Sequence, residues 1–285
     1  MFDRCLFIVV LALAPMNVLL GQSVAIIAPD KTPFDLSVTN EVRRGFPDGV
    51  RSQDDDMTAA AFDSVKPATP FNMSTDQAKR VGSVVGTDLL ILIRTGTQRR
   101  AAIGRADYFE SRADLYFVSS RTGRLVQWEM LSKEAATEAT AQENLLPAVR
   151  SAISTFVRAS RSIVAKEASE PSTPAVDEVP IDGTAAAKDF RAPVPYRRLK
   201  PEYTRTAYLY DIAATVEATV DLDEKGNITR AVITRWAGYG LDESVLTVIR
   251  SMNWRPAERA GKPFPIRFLL RYNFKKLEKG DPIDE

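Results

Sequence analysis

Few residues in this chain could carry chemistry. It has no histidine, and its single cysteine, Cys5, lies inside an N-terminal apolar stretch. That removes the usual general base, the usual transition-metal ligands and any thiol nucleophile in a mature domain. Catalysis would have to rest on carboxylates, lysines or hydroxyls. Asp54, Asp55 and Asp56 are three consecutive carboxylates of the kind calcium favours. They lack the regular ligand spacing of an EF-hand and read as a solvated acidic turn. Ser83, between Gly82 and Gly86, resembles a nucleophile elbow only superficially, because the elbow needs glycine two residues to each side of the serine. Arg94, Arg99, Arg100 and Arg105 make a small basic patch that reads as solvated strand ends. There is no Walker A motif and no dinucleotide fingerprint. The chain reads as a non-enzyme without metal or cofactor.

What remains is the chemistry of the backbone. Residues 264–274 alternate strictly: Ile266, Phe268, Leu270, Tyr272 and Phe274 share one face, and Pro265, Arg267, Leu269, Arg271 and Asn273 the other. At the margin of a sheet such a strand presents unpaired N–H and C=O groups that an extended peptide can satisfy. The segment from Arg267 through Phe268, Leu269, Leu270, Arg271 and Tyr272 to Asn273 is therefore the candidate partner-binding edge. Arg267 and Arg271 either meet acidic side chains of a partner or protect the edge from aggregation. Tyr203, Trp254, Phe268 and Tyr272 read as core.

The elements that must position this strand are also legible. A short helix opens at Pro201-Glu202-Tyr203. Residues 215–222 alternate, with Val216, Ala218, Val220 and Leu222 on one face. A turn at 223–227 leads to a return strand, 228–236, in which Ile228 and Ile233 have opposite parity, so a bulge is expected. A helix follows with Asp242 as N-cap and Leu241–Leu246 as hydrophobic staple, and Trp254-Arg255-Pro256 ends it.

The chain has 285 residues, 45% hydrophobic and 26% charged, with a formal net charge of +1 from 38 basic and 37 acidic side chains. That balance gives no reason to expect a nucleic-acid partner. Residues 6–20 are almost wholly apolar behind Arg4, so 1–22 reads as a cleaved export signal, with a retained membrane anchor as the alternative. Cys5 precedes the apolar core, which rules out a lipoprotein signal. Residues 23–166 read as an α/β module with a mixed sheet. It comprises a strand at 23–28, helices at 33–46 and 74–85, a strand at 88–93 buried on both faces, and strands at 105–111, 112–119 and 125–130. A long helix follows at 141–166, with Pro147 near its first turn. Residues 167–195 are rich in Ala, Ser, Pro, Asp and Glu and read as a disordered linker. Residues 196–276 form the C-terminal domain and 277–285 a tail.

The landmarks Tyr203, Gly226, Leu241-Asp242, Trp254-Arg255-Pro256 and Gly261-Lys262-Pro263, in that order, resemble the C-terminal domain of TonB-family proteins. The resemblance covers a little over a quarter of the chain. It implies an α+β fold class: an antiparallel three-stranded sheet packed on two helices, joined through the linker to the N-terminal module. It also implies a periplasmic location and a protein partner, an outer-membrane receptor-like peptide segment or an envelope protein, bound by strand addition. Energy-coupled transport and an envelope-assembly role without energy coupling both stay open, as does a homodimer. Membrane contact is expected only through the N-terminal segment. The family often has proline where Thr204 stands and glycine where Ala214 stands. The segment from Leu115 to Trp128 and the apolar strand at 88–93 weakly resemble CsgG-like and TolB N-terminal periplasmic modules.

Overall fold

The computed structural model describes residues 23–170, 175–184 and 187–276. The expected signal at 1–22 and the tail at 277–285 lie outside the described residues. Strand β1 (Ser23–Ile27) leads to α1 (Pro33–Arg44), which Thr32 opens with a capping box completed by Asp35. After β2 (Arg51–Ser52) comes a helix that the acidic-turn reading did not contain, α2 (Asp55–Val65). Asp54 is its N-cap, accepting from Met57 N–H at 2.9 Å, and Asp55 pairs with Arg43. The carboxylates thus stabilise a helix start, where negative charge and orphan N–H groups meet. A 3-10 turn at Pro70–Asn72 precedes α3 (Thr75–Val85), capped as expected by Ser74.

β3 (Leu89–Ala102) begins with the apolar run, and Leu89, Leu90, Ile91, Leu92 and Ile93 are all fully buried. Leu90 and Leu92 belong to one core cluster and Leu89, Ile91 and Ile93 to another, so the strand is covered on both faces. The two strands expected at 105–119 are one, β4 (Arg105–Ser119). The polar residues in its middle do not break it because they are satisfied in place: Ser111 lies 2.9 Å from Thr97 hydroxyl to hydroxyl, and Arg112 donates to Asp114 at 3.1 Å. β5 (Leu125–Ala135) and α4 (Glu138–Ala168) complete the module. Pro147 sits inside α4, not in its first turn, and nothing in the structure explains how the helix tolerates it. The sheet order is β2-β1-β3-β4-β5, with β1 parallel to β2 and β3 and the rest antiparallel, a mixed sheet as expected.

Three short strands follow where a disordered linker was expected: β6 (Asp177–Glu178), β7 (Phe190–Arg191) and β8 (Val194–Pro195). Their composition cannot build a core. They need none, because backbone pairing to the C-terminal domain satisfies them. That domain comprises α5 (Arg205–Leu209), β9 (Ala214–Leu222), β10 (Ile228–Arg235), α6 (Leu241–Ser251), β11 (Trp254–Arg255), β12 (Ala257–Arg259), β13 (Lys262–Phe264) and β14 (Ile266–Phe274). β7 pairs with β12, and β8 pairs with β11. The main sheet runs β10-β9-β14-β6, the expected three antiparallel strands plus β6 running parallel to β14. The expected irregularities in β10 occur between Ile228 and Arg230 and between Ile233 and Arg235.

Two details of capping differ from expectation. The first helix starts at Arg205, and Thr204 is its cap, accepting from Ala207 N–H at 3.1 Å while donating to Tyr239 O at 2.6 Å. The departure from proline at this position thus gives a second-segment contact. In α6 the cap is Gly240, not Asp242. The Asp242 carboxylate instead turns back and accepts from Ala237 N–H at 2.9 Å and Gly238 N–H at 2.8 Å.

The C-terminal domain is not merely tethered. One hydrophobic cluster runs from Ala25, Phe62, Met73 and Tyr116 of the first module into Val220, Trp236, Tyr239 and Val245 of the second. Asn72 clasps the junction: its amide donates to Thr215 O at 2.8 Å and Trp236 O at 2.7 Å, and its carbonyl accepts from Thr215 N–H at 3.0 Å. Trp236 Nε1 donates to Gly123 O at 3.1 Å. Gly238 lies so close to the Trp128 ring that a Cβ there would stand 2.7 Å from it.

Candidate functional site: the margin of the C-terminal sheet

The site is the outer edge of β14, and the fold sets it up in three steps. The hairpin of β9 and β10 is closed by the Asp223 carboxylate, which accepts from the Asn227 side-chain amide at 2.8 Å, Asn227 N–H at 2.8 Å and Lys225 N–H at 2.9 Å; these bonds, the Asn227 side chain's foremost, hold it below the usual carboxylate range. Gly226, at φ 84°, must be glycine, since a Cβ would lie 2.2 Å from Trp254 O. β9 then pairs with β14 over its full length, from Ile266 opposite Leu222 to Phe274 opposite Ala214.

The apolar face of β14 anchors it. Phe268 meets Trp254 at 4.9 Å between ring centres, and Phe274 stacks on Tyr203 at 6.3 Å. Burial raises the Tyr272 hydroxyl above its ordinary value, and does the same for Tyr203. Tyr203, Trp254, Phe268 and Tyr272 are packing residues, in line with the sequence reading.

On the opposite face, Arg267 and Arg271 are engaged within the chain. Arg267 holds Asp221 with two bonds of 2.7 Å, and Arg271 lies 2.7 Å from Glu217. The hydrogen-bonded Asp221 carboxylate raises the Arg267 guanidinium further. Of the two readings left open for both arginines, acids of a partner or protection of the edge, neither is needed to balance their charge, which is met within the chain. Their counter-ions are the directly opposite residues of β9, the positions that cross-strand pairing brings together. Leu269 stands between the two pairs, half exposed. Asn273 accepts from the Thr215 hydroxyl at 2.9 Å.

The outer margin of β14 is partly occupied. Ile266 and Arg267 lie opposite Asp177 and Glu178 of β6, and Val179 N–H donates to Arg267 O at 3.3 Å. That bond also fixes the direction of the backbone. Polar groups alternate along a strand, so Leu269, Arg271 and Asn273 point the same way as Arg267, and no strand pairs with them among the described residues. The open part is thus shorter than the segment Arg267–Asn273 expected from sequence. Sequence reasoning missed β6 because a two-residue strand has no periodicity to read.

Residues 200–276 match the family model of the Gram-negative bacterial TonB protein C-terminal. The recognition of a TonB C-terminal domain from its landmarks is borne out by this match, as is the α+β class. The match supports an envelope-associated, periplasmic protein with a protein partner. No curated protein sequence matches the chain. Among solved structures, lipoprotein GNA1162 from Neisseria meningitidis is similar at 15% identity, covering 48% of this chain and 98% of that one at a TM-score of 0.33. The hypothetical protein CT253 from Chlamydia trachomatis is similar at 11% identity, covering 51% and 95% at a TM-score of 0.29. A minor lipoprotein from Acinetobacter baumannii is similar at 13% identity, covering 52% and 97% at a TM-score of 0.26. Among the described residues no helix is long and apolar enough to cross a membrane.

Proposed function

We propose that this protein captures an extended segment of an envelope protein by strand addition to β14, along Leu269, Arg271 and Asn273. The observation that carries the reading is the alternation of β14: its inner backbone groups are used by β9, β6 covers only its first two residues, and the rest of its outer margin has no neighbouring strand among the described residues. Main-chain hydrogen bonds would supply affinity, and exposed Leu269 between two ion pairs would read one apolar side chain of the guest. The role is binding without catalysis.

One observation favours an envelope-assembly role over energy-coupled transport. The C-terminal domain shares a core with the N-terminal module. A transducer must let its terminal domain travel from its anchor, and burial of Trp236 and Tyr239 in a common core opposes such travel.

Leu269→Pro tests the reading. Proline removes one outward N–H but no ladder bond to β9, a substitution edge strands tolerate. With an envelope extract protein that the full chain retains, Leu269→Pro lowers affinity about tenfold or more while the circular dichroism spectrum stays unchanged. Equal affinity for Leu269→Pro and the wild type would discard the reading. Light scattering of the same pair distinguishes capture of a foreign segment from self-association: a dimer that Leu269→Pro dissolves assigns the edge to a second copy.

A further inference from the structure

The C-terminal sheet has a second margin, and the N-terminal sheet faces it with one of its own. β10 ends the sheet β10-β9-β14-β6, and β5 ends the sheet β2-β1-β3-β4-β5. Between them lies a cleft of about 880 Å³, walled by residues 125–128 of β5 and residues 229–233 of β10. Side chains alternate along a strand, so a wall of consecutive residues is the strand's edge and not one of its faces.

The backbone direction can be traced. Arg267 turns its polar groups outward, toward Val179. Phe268 and Leu270 therefore face β9, at Val220 and Ala218. That leaves Thr219 and Asp221 of β9 to face β10, at Val232 and Arg230. Ala231 and Ile233, between and beyond these, turn N–H and C=O into the cleft. On the other wall Ser119 N–H donates to Arg124 O at 3.0 Å. Phe117 then faces β5 at Gln127, and Trp128 turns its backbone toward the cleft.

One side chain lining the cleft also lacks a partner. Arg230 is half-buried and has no acidic partner among the described residues, because both oxygens of the opposite Asp221 are held by Arg267. The acids nearby are committed or solvated. Asp242 accepts from two backbone N–H groups, Glu170 pairs with Arg124 at 3.0 Å, and Glu243 is exposed. A cation kept from full solvation without a counter-ion is costly.

We propose that this cleft binds an extended peptide with a carboxylate side chain, laid as a strand between β10 and β5. The peptide backbone completes both margins, and Arg230 receives its carboxylate. Apolar side chains at alternate positions, on the face opposite the carboxylate, meet Ile233 and Leu246. The site is separate from the margin of β14 and does not depend on its role.

The probe is a fluorescein-labelled peptide of alternating valine and threonine, about seven residues long, with one central glutamate, a length typical of a strand. Anisotropy is read against the full chain, beside a control peptide with glutamine in place of the glutamate. Ala231→Pro removes an N–H that faces the cleft and weakens binding about tenfold or more. Arg230→Gln weakens the glutamate peptide about tenfold and leaves the glutamine peptide unchanged; this variant stands even if Ala231→Pro fails to fold. Leu269→Pro binds as the wild type does. The proposal is overturned by equal binding to Arg230→Gln and wild type. It is overturned by loss of binding in Leu269→Pro alone, which moves the peptide to β14. It is also overturned by no binding up to about 1 mM, the weak end of specific recognition. A dimer that forms without peptide and is dissolved by Arg230→Gln gives the cleft to a second copy and likewise ends the peptide reading.

Discussion

Asn72 and Asp242 are the residues on which the junction of the two halves turns. Asn72 makes three hydrogen bonds to the backbones of Thr215 and Trp236. Asn72→Ala strands three backbone groups at once, and chemical denaturation should show a loss of about 2–4 kcal/mol, the scale of several unsatisfied polar groups. Asp242 is governed by desolvation: burial pushes its carboxyl up to about 7 against the lowering effect of the Gly238 and Ala237 N–H groups. Its unfolded counterpart ionises near 3.8. Between those values the unfolded chain releases a proton that the folded chain keeps, so this residue lowers stability as pH rises from about 4 to 7. Asp242→Asn should flatten that fall, measured as melting temperature at pH 5 and pH 8. A wild-type profile unchanged by the substitution would remove Asp242 from the account. Sequence reasoning placed Asp242 at the right helix and gave it the wrong task. A cap and a back-turned carboxylate share one residue preference, and only Gly240 at φ 75° distinguishes them.

Among the elements, those with long periodic patterns were legible. β3 was recognisable as buried on both faces because Leu89 to Ile93 is a continuous apolar run, and β9 and β14 because they alternate without interruption. β4 was read as two strands because Glu110, Ser111 and Arg112 look like a break; Thr97 on the neighbouring β3 and Asp114 within β4 itself partner Ser111 and Arg112. α2 was missed because its Ala-rich body lies behind three aspartates that resemble a turn. β6 could not be seen at all, and it shortens the candidate margin from Arg267–Asn273 to the stretch beyond Arg267. Val179→Pro removes the N–H that reaches Arg267 O. It should cost less than about 1.5 kcal/mol in stability, the net worth of one exposed backbone bond, and should speed exchange only next to β6.

For the whole molecule, the sequence boundary near residue 196 marks where the family pattern starts, not where packing stops. Tyr116 meets the Trp236 ring at 5.7 Å and the Tyr239 ring at 6.4 Å across it, and Tyr239 meets Trp128 at 4.5 Å. Trp236→Ala should destabilise by about 3–5 kcal/mol, as large aromatic truncations do. It should shift one common unfolding transition seen by both tryptophan fluorescence and far-ultraviolet dichroism. Two transitions, with only the later one moved, would mean that the halves fold independently.

Amide hydrogen exchange at residue resolution on the free chain tests the open margin of β14 most directly. The account predicts slow exchange at Phe268, Leu270 and Tyr272, whose N–H groups face β9, and fast exchange at Leu269, Arg271 and Asn273, which slows when a partner segment is bound. Equal protection of all six amides in the free monomer would contradict it.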